Sequence, residues 1–171
     1  MKPQEIRLAV SKAVRHLLTH PGDARSQDKP AMASLESGLR IKVDGPGSWS
    51  VTTDMPSALG GEGGAPSPGW LRRAAQAACE ATMIAMRAAH EGISLDHLEV
   101  EVGSLSDDRG MLGIAAGMPA GPSESWARVT ISAKGVAPEK LREVIEWAEA
   151  HSPVTDSLSR SVPHKLDVEI R

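Results

Sequence analysis

The chain has 171 residues, of which 40% are hydrophobic and 24% charged, a composition typical of one folded domain rather than of a disordered segment. Its net charge of -3 and its lack of Phe and Tyr argue against a general nucleic-acid binder, which needs a basic face and aromatic side chains for base stacking. Its single cysteine excludes an intramolecular disulfide, and no stretch approaches the roughly 18 apolar residues that a membrane span requires.

The first 20 residues predict an amphipathic helix. Apolar residues recur at helical spacing from Ile6 to Leu18, and Pro21-Gly22 then ends the pattern. Charged residues interrupt the apolar core that an export signal needs, so we expect a cytoplasmic location by default. Packing against the domain or a partner subunit is the preferred role of this helix. A membrane-surface helix would need more Lys and Arg and an aromatic anchor.

The next predicted element is a β-hairpin. Residues 39–44 alternate apolar and polar side chains, Gly45-Pro46-Gly47 supplies a turn, and a second alternating stretch begins at Trp49. Residues 22–34 before the hairpin are polar and favour a linker. Residues 55–68 after it are too rich in Gly and Pro for regular structure.

A long central helix is predicted from Pro68 to about Glu91. Ser67 can cap it, Pro68 suits the first helical position, and Gly92 ends it. Its polar side chains share one narrow stripe: Arg73, Gln76, Glu80, Arg87 and Glu91. The remainder is mainly Ala, Met, Leu and Ile, with Cys79, which indicates a largely buried helix that another element approaches closely.

The second half of the chain alternates between strands and helices. Residues 98–102, 126–132 and 165–170 predict strands, residues 111–115 a weak strand, and residues 107–110 a loop. Pro138 begins a predicted helix, and Ser152-Pro153 begins a shorter one. These elements indicate an α+β fold with a mainly antiparallel sheet around the central helix.

Several common functional sites do not fit the sequence. Residues 60–64 lack the Gly-Lys-Ser/Thr ending of a phosphate-binding loop, and no Gly-x-Ser-x-Gly elbow anchors a hydrolase triad. His16 and His20 have metal-binding spacing, but no neighbouring Cys or carboxylate completes a site, so solvated histidines are the better interpretation. We therefore expect no metal and no cofactor.

Cys79 has two interpretations from the residues alone. A free cysteine among Ala residues is usually a small buried hydrophobe that permits close helix packing. A reactive thiolate would need a nearby cation from another segment, because the helix N-terminus at Pro68 is too distant to act on it.

Two segments together resemble the OsmC/Ohr family of osmotically inducible and organic-hydroperoxide-resistance proteins. Residues 54–83, DMPSALGGEGGAPSPGWLRRAAQAACEATM, are similar to the family stretch in which an acidic residue and Pro precede a Gly-Gly loop and an Ala-rich helix carrying a cysteine. Residues 151–170, HSPVTDSLSRSVPHKLDVEI, resemble a second family signature, which usually has Cys-Pro-Val or Cys-Pro-Ile at its start. The resemblance covers residues 34–171 as the domain and leaves residues 1–33 as an N-terminal helix and linker.

The resemblance implies an intertwined α+β homodimer with a mainly antiparallel sheet, a long buried central helix and a site at the subunit interface. It implies thiol-dependent reduction of organic hydroperoxides, in which a first cysteine becomes a sulfenic acid and a second cysteine resolves it. Cys79 matches the first position and Ser152 the second, where Ser cannot form a disulfide. Arg40 is the candidate for the arginine that polarises the thiol, because it is the arginine of the predicted hairpin. Ala58 occupies the position of a glutamate in the hydroperoxide-resistance branch.

Three hypotheses follow. The first is a homodimeric hydroperoxide reductase that uses Cys79 and an external thiol, with Ser152 expected close to Cys79. The second is a non-catalytic homodimer that binds a small apolar ligand at its interface, with Cys79 as packing. The third is a protein-interaction role for the N-terminal helix.

Overall fold

The computed structural model describes residues 2–171 and has five α-helices and five β-strands within that range. In chain order the elements are α1 (Pro3–Thr19), β1 (Met32–Ser37), β2 (Arg40–Asp44), β3 (Ser50–Thr53), α2 (Pro68–His90), β4 (His97–Leu105), α3 (Asp108–Met111), β5 (Glu124–Ser132), α4 (Pro138–Ala150) and α5 (Pro153–Ser159). The predicted α+β class with antiparallel sheet is confirmed.

The strands form two small sheets. In the first, β1, β2 and β3 lie in chain order and pair antiparallel, with Asp44 opposite Ser50 at the turn of the predicted hairpin. In the second, β4 pairs with β5, and their ends show the direction. Asp96 N–H donates to Ser132 O, and Ser123 N–H donates to Leu105 O, so these strands also run antiparallel.

The chain divides into two compact units. The first contains Gln76–Val102 and Trp126–Arg171 together with the start of α1, and the second contains Ala9–Ala75 and Gly103–Ser125. The core of the first unit is built where α2 meets α4. Ile84 and Ala88 of α2 and Val144 and Ala148 of α4 are at most 1% exposed. Each pair is spaced i, i+4, which places both residues on one helix face, and the alanines allow close approach.

The helices begin and end close to the predicted positions. Trp70 N–H donates to Ser67 Oγ at 3.2 Å, so Ser67 caps α2 as predicted. The predicted N-terminal helix is present as α1, although Met1 lies outside the described residues. None of the helices within residues 2–171 combines the length and apolar character needed to cross a membrane. The domain boundary after residue 33 stays a prediction.

Two of the predicted strands are wrong. At residues 111–115 there is no strand, because Asp107 caps the single helical turn α3 by accepting the Arg109 N–H at 3.0 Å. The stretch 165–170 has no regular structure, and its apolar side chains are exposed, Ile170 to 91%. An alternating pattern forms a strand only when a neighbour accepts and donates its backbone hydrogen bonds, and none of the strands described pairs with this stretch.

One strand was missed. The predicted linker over residues 22–34 overlaps β1, which begins at Met32 and pairs with β2. Its sequence, MASLES, has little alternation, and its residues are all exposed. Pairing with β2, rather than burial of one face, therefore holds β1 in place.

Candidate active site

The candidate site is built where α2 and α5 approach each other inside the first unit. Cys79 lies near the middle of α2 and is partly exposed, whereas Ser152 directly precedes α5 and is completely buried. The Ser152 hydroxyl donates to Cys79 Sγ at 3.3 Å, although the residues are 73 positions apart. The expected proximity of Ser152 and Cys79 is confirmed.

Ser152 is held in place by its role at the start of α5. Its Oγ accepts a hydrogen bond from Thr155 N–H at 3.4 Å, which makes Ser152 the N-cap, and Pro153 occupies the first helical turn. The short helix therefore fixes the hydroxyl that faces the sulfur. This local structure follows from the Ser-Pro sequence, as predicted.

Cys79 and Ser152 belong to a cluster of polar side chains that also contains Thr155, Glu80 and Gln76. A buried carboxylate, that of Glu80, lies at the other end of this cluster from Cys79. Thr155 Oγ1 is 3.0 Å from Ser152 Oγ and donates to Glu80 Oε1 at 2.8 Å. Gln76 Nε2 donates to the same Glu80 oxygen at 3.0 Å. Glu80 is 5% exposed and Gln76 7%. A continuous series of contacts within hydrogen-bonding distance thus joins the Cys79 sulfur to a buried carboxylate.

The centre of the polar stripe on α2 faces inward. Gln76, Glu80, Ile84 and Ala88 follow at intervals of four residues, and all four are buried. An ionisable side chain on such a face is stable only with hydrogen-bond partners, and Gln76 and Thr155 supply them. The polar stripe is therefore partly a buried network rather than a solvated face.

Glu80 also lines a cavity of about 140 Å³ in the first unit. Four of its six lining residues are apolar, and Glu149 of α4 is the other ionisable residue beside it. The lining residues are Glu80, Ile84, Ala127, Val129, Ile145 and Glu149. A volume of this size fits a few water molecules or a small apolar group.

Arg40, the predicted thiol-polarising residue, lies on β2 in the second unit. Its Nε donates to Glu36 Oε2 at 3.1 Å, an exposed i, i+4 ion pair. Its positive charge also favours the ionised form of Asp54. Arg40 thus has two acidic neighbours of its own, and its proposed action on Cys79 stays a prediction.

Asp54 organises the Gly-rich loop of the second unit. It is 2% exposed, and its carboxylate accepts backbone N–H groups from Met55 at 2.7 Å, Gly64 at 3.0 Å and Glu62 at 3.2 Å. These bonds, led by the one from Gly64, together with the charge of Arg40 lower the pKa of Asp54 below its ordinary value, against the opposing effect of burial. The acidic residue of the family-like stretch therefore has a structural role in tying the loop together.

Potential metal ligands do not gather in the part of the chain described. Among residues 2–171, no group of three or more His, Cys, Asp or Glu side chains is arranged to hold a metal ion. The rings of His16 and His20 stack at 4.6 Å between centroids, and His16 Nε2 lies 2.9 Å from Asp23 Oδ2. The two histidines interact with each other and with a surface carboxylate.

Gln76, Glu80 and Thr155 are the members of the cluster that were not among the predicted site residues. Gln76 and Glu80 did stand out as an i, i+4 polar pair in an Ala-rich helix, which is a usable signal for a buried polar network. Thr155 is the third residue after the N-cap, where the backbone N–H donates to the capping side chain. Its hydroxyl reaches α2 only through the packing of α5.

The comparison with protein families finds a match over more than half of the chain. The family model of OsmC-like proteins matches residues 61–167, which includes Cys79, Glu80, Ser152 and Thr155. None of the curated proteins matches the chain.

Solved structures share the fold at low sequence identity. An OsmC-like protein from Mycoplasma pneumoniae has a TM-score of 0.67 and 15% identity, covering 79% of this chain and 89% of its own. The organic hydroperoxide resistance protein OsmC from Legionella pneumophila has a TM-score of 0.57 and 21% identity, with 78% and 90% covered. An organic hydroperoxide resistance protein from Elizabethkingia anophelis has a TM-score of 0.55 and 19% identity, with 78% and 89% covered.

Proposed function

The chain belongs to the OsmC family, and we propose that it is a thiol-dependent reductase of organic hydroperoxides in which Cys79 is the peroxide-reactive residue. The observation that carries the proposal is the contact of 3.3 Å between Ser152 Oγ and Cys79 Sγ. A hydroxyl that donates to sulfur favours the thiolate, which is the nucleophilic form of cysteine. The relatives named as hydroperoxide resistance proteins support the choice of substrate class.

The proposed reaction oxidises one sulfur and reduces one O–O bond. The Cys79 thiolate attacks the distal peroxide oxygen, so that an S–O bond forms, the O–O bond breaks, and the alcohol leaves after gaining a proton. The product is the Cys79 sulfenic acid. No second cysteine exists in the chain, and Ser152 cannot form a disulfide.

An external thiol must then complete the cycle. One thiol condenses with the sulfenic acid, releasing water and forming a mixed disulfide with Cys79. A second thiol attacks that mixed disulfide, leaves as the external disulfide and restores the Cys79 thiol. Two external thiols are therefore consumed for each hydroperoxide reduced.

A homodimer is part of this proposal. Large apolar side chains of the isolated chain are exposed: Trp49 to 74%, Leu35 to 68% and Trp126 to 49%. Monomeric proteins rarely leave such surface uncovered, and covering it by association is favourable by roughly 25 cal/mol per Å². A second copy of the chain is the proposed cover.

The second candidate function is a non-catalytic homodimer that binds a small apolar molecule. The cavity of about 140 Å³ favours it, because Ile84, Val129 and Ile145 line much of its wall. In that case Cys79 is a packing residue and does not react with peroxides.

A hydroperoxide titration separates the two functions. Purified protein is treated with cumene hydroperoxide in the presence of a sulfenic-acid-specific reagent, and the adduct on Cys79 is measured by mass spectrometry. The reductase requires stoichiometric adduct formation and, with added thiol, continuous peroxide consumption that the Cys79→Ser variant lacks. A folded protein whose Cys79 stays a free thiol in excess oxidant would exclude the reductase.

A further inference from the structure

We propose that Glu80 holds the proton of Cys79, transferred through the hydroxyl groups of Ser152 and Thr155, so that Cys79 reacts as a thiolate without an external base. Glu80 and Thr155 act through Ser152 and are therefore positioning residues rather than catalytic ones. The purpose of this proton transfer rests on the proposed function, whereas its existence can be tested without any hydroperoxide.

The geometry provides an unbroken path for the proton. The donor–acceptor distances are 3.3 Å from Ser152 Oγ to Cys79 Sγ, 3.0 Å from Thr155 Oγ1 to Ser152 Oγ, and 2.8 Å from Thr155 Oγ1 to Glu80 Oε1. All three lie within hydrogen-bonding range for their atom types. Ser152 is completely buried and Glu80 nearly so, which limits the competition of bulk water for these bonds.

The two hydroxyl groups can rotate, so the direction in which hydrogen bonds are donated along the path can reverse. A hydroxyl has one proton, so Thr155 donates either to Glu80 or to Ser152 at one time. With Cys79 as a thiol, each hydroxyl donates toward the ionised Glu80. With Cys79 as a thiolate, protonated Glu80 donates to Thr155, Thr155 to Ser152, and Ser152 to the sulfur. Both arrangements satisfy every atom of the path.

Charge favours sharing one proton between the two ends. Ionising Cys79 and Glu80 together would place two negative charges at the ends of a short, poorly solvated path. Moving the thiol proton to Glu80 creates the thiolate while the cluster keeps a single negative charge. Gln76 Nε2, which donates to Glu80 Oε1 at 3.0 Å, holds the carboxyl group in both arrangements.

Among the residues that line the cavity beside Glu80, Glu149 is the other ionisable one and must be controlled for. Glu149 of α4 lines the same cavity, whereas β5 contributes the apolar Ala127 and Val129 and α5 contributes the neutral Thr155. The backbone carbonyl of Glu149 accepts a hydrogen bond from Ser152 N–H at 3.3 Å, but within residues 2–171 its carboxylate makes no hydrogen bond to the path. It is therefore the matched control for removing a carboxylate beside the site.

The proton balance of the proposed reaction then closes within the protein. The thiol proton moves to Glu80, and the thiolate sulfur attacks the peroxide. The departing alkoxide takes a proton from the Ser152 hydroxyl. Protonated Glu80 then returns a proton to Ser152 through Thr155. The net change is thiol and hydroperoxide to sulfenic acid and alcohol, with Glu80 ionised before and after.

The test measures the rate at which iodoacetamide alkylates Cys79, the only cysteine of the chain, between about pH 4 and pH 9. The thiolate with protonated Glu80 contains as many protons as the thiol with ionised Glu80, so the ratio of the two forms is independent of pH. We expect the wild-type rate to level off in a plateau on the acidic side. Without a shared proton, the rate falls about tenfold for each pH unit.

Four variants identify the residues responsible. Glu80→Gln, which keeps an oxygen to accept the Gln76 hydrogen bond, should lose the plateau. Thr155→Val should lower the alkylation rate in the plateau at least tenfold, because both hydrogen bonds of the Thr155 hydroxyl disappear. Thr155→Ser, which keeps the hydroxyl, and Glu149→Gln, the matched control, should keep the wild-type plateau. If the role of Glu80 were merely structural, Glu80→Gln would reduce stability without changing this pH dependence. Thr155→Val provides the measurement if Glu80→Gln does not fold.

The outcomes separate this inference from the proposed function. If Glu80→Gln or Thr155→Val keeps the wild-type plateau, or if the wild type has none, the proton transfer is excluded. If the plateau depends on Glu80 and Thr155 but wild-type Cys79 does not react with hydroperoxide, the proton transfer stands and the reductase is excluded.

Discussion

Ser152 and Cys79 form a direct contact between the start of α5 and the middle of α2, with the serine hydroxyl 3.3 Å from the cysteine sulfur. The N-cap bond from Thr155 N–H fixes this hydroxyl, so helix capping and thiol chemistry depend on the same atom. Ser152 therefore has a complete structural role and still faces the proposed reactive atom.

The contact predicts that Ser152→Cys restores an internal disulfide. A cysteine sulfur at this position would need to move closer by about 1 Å to reach the S–S length of about 2.05 Å, which a side-chain rotation supplies. One equivalent of hydroperoxide should then yield an intramolecular disulfide, detected as the loss of two hydrogens by intact mass under denaturing conditions. The wild type, which has Ser152, is the control and should stop at the sulfenic acid. Failure of the Cys variant to lose its thiols would show that the two side chains do not meet in solution.

Removing the thiol should abolish activity at small cost in stability. In Cys79→Ala we expect the thiol-dependent consumption of peroxide to fall to the rate without protein, because Cys79 supplies the only thiol of the chain. The free energy of unfolding should fall by about 1 kcal/mol, since the variant loses one weak hydrogen bond from Ser152 and a partly exposed sulfur. Urea unfolding measures the stability. A loss above about 3 kcal/mol would identify Cys79 as a core residue instead.

The exposed apolar surface predicts a dimer in solution. Sedimentation equilibrium at micromolar concentration should give twice the chain mass of 18.0 kDa. Replacing Trp49, which is 74% exposed, by Glu should shift the equilibrium toward the monomer if this surface is covered by a second copy. A wild-type protein that sediments as a stable monomer would contradict the prediction.

Asp54 should make stability depend on pH in the acidic range. Its pKa is lowered from the ordinary value of 3.8 in the folded state, first by the Gly64 N–H bond, so the folded protein binds this proton less readily than the unfolded chain. The stabilisation is therefore complete above pH 3.8 and is lost as the pH falls through the lower folded value. Asp54→Asn should lower the Tm at pH 7 and approach the wild type in acid. Asp28→Asn, at an exposed position, is the control and should leave the profile unchanged.

Gly61 should tolerate no side chain. A Cβ at this position would overlap the Met55 carbonyl oxygen and lie 2.8 Å from Asp54 Oδ1, so the loop around Asp54 would have to open. We expect Gly61→Ala to lower the free energy of unfolding by at least ~2 kcal/mol. Gly121→Ala is the matched control, because nothing lies within 4 Å of its Cβ. Equal stability of the two variants in urea unfolding would contradict the close approach.

The local sequence determined most helices and the β2–β3 hairpin. Ser67-Pro68 and Ser152-Pro153 start helices through interactions within one turn, and Gly45-Pro46-Gly47 reverses the chain within a few residues. The pairing of Ser152 with Cys79 came from resemblance to a family, because no local pattern relates residues 73 positions apart.

Only the tertiary structure decided which strands form and where the polar stripe of α2 points. The alternation at residues 165–170 has no partner strand in the described chain, whereas the weakly patterned β1 does have one, because backbone hydrogen bonds between strands come from distant residues. Likewise, Glu80 is polar in the sequence and buried in the structure, because Gln76 on its own helix and Thr155 on α5 satisfy the carboxylate. Periodicity places Glu80 on a helix face, but the helix that packs against that face determines whether the carboxylate meets water or the hydroxyl path to Cys79.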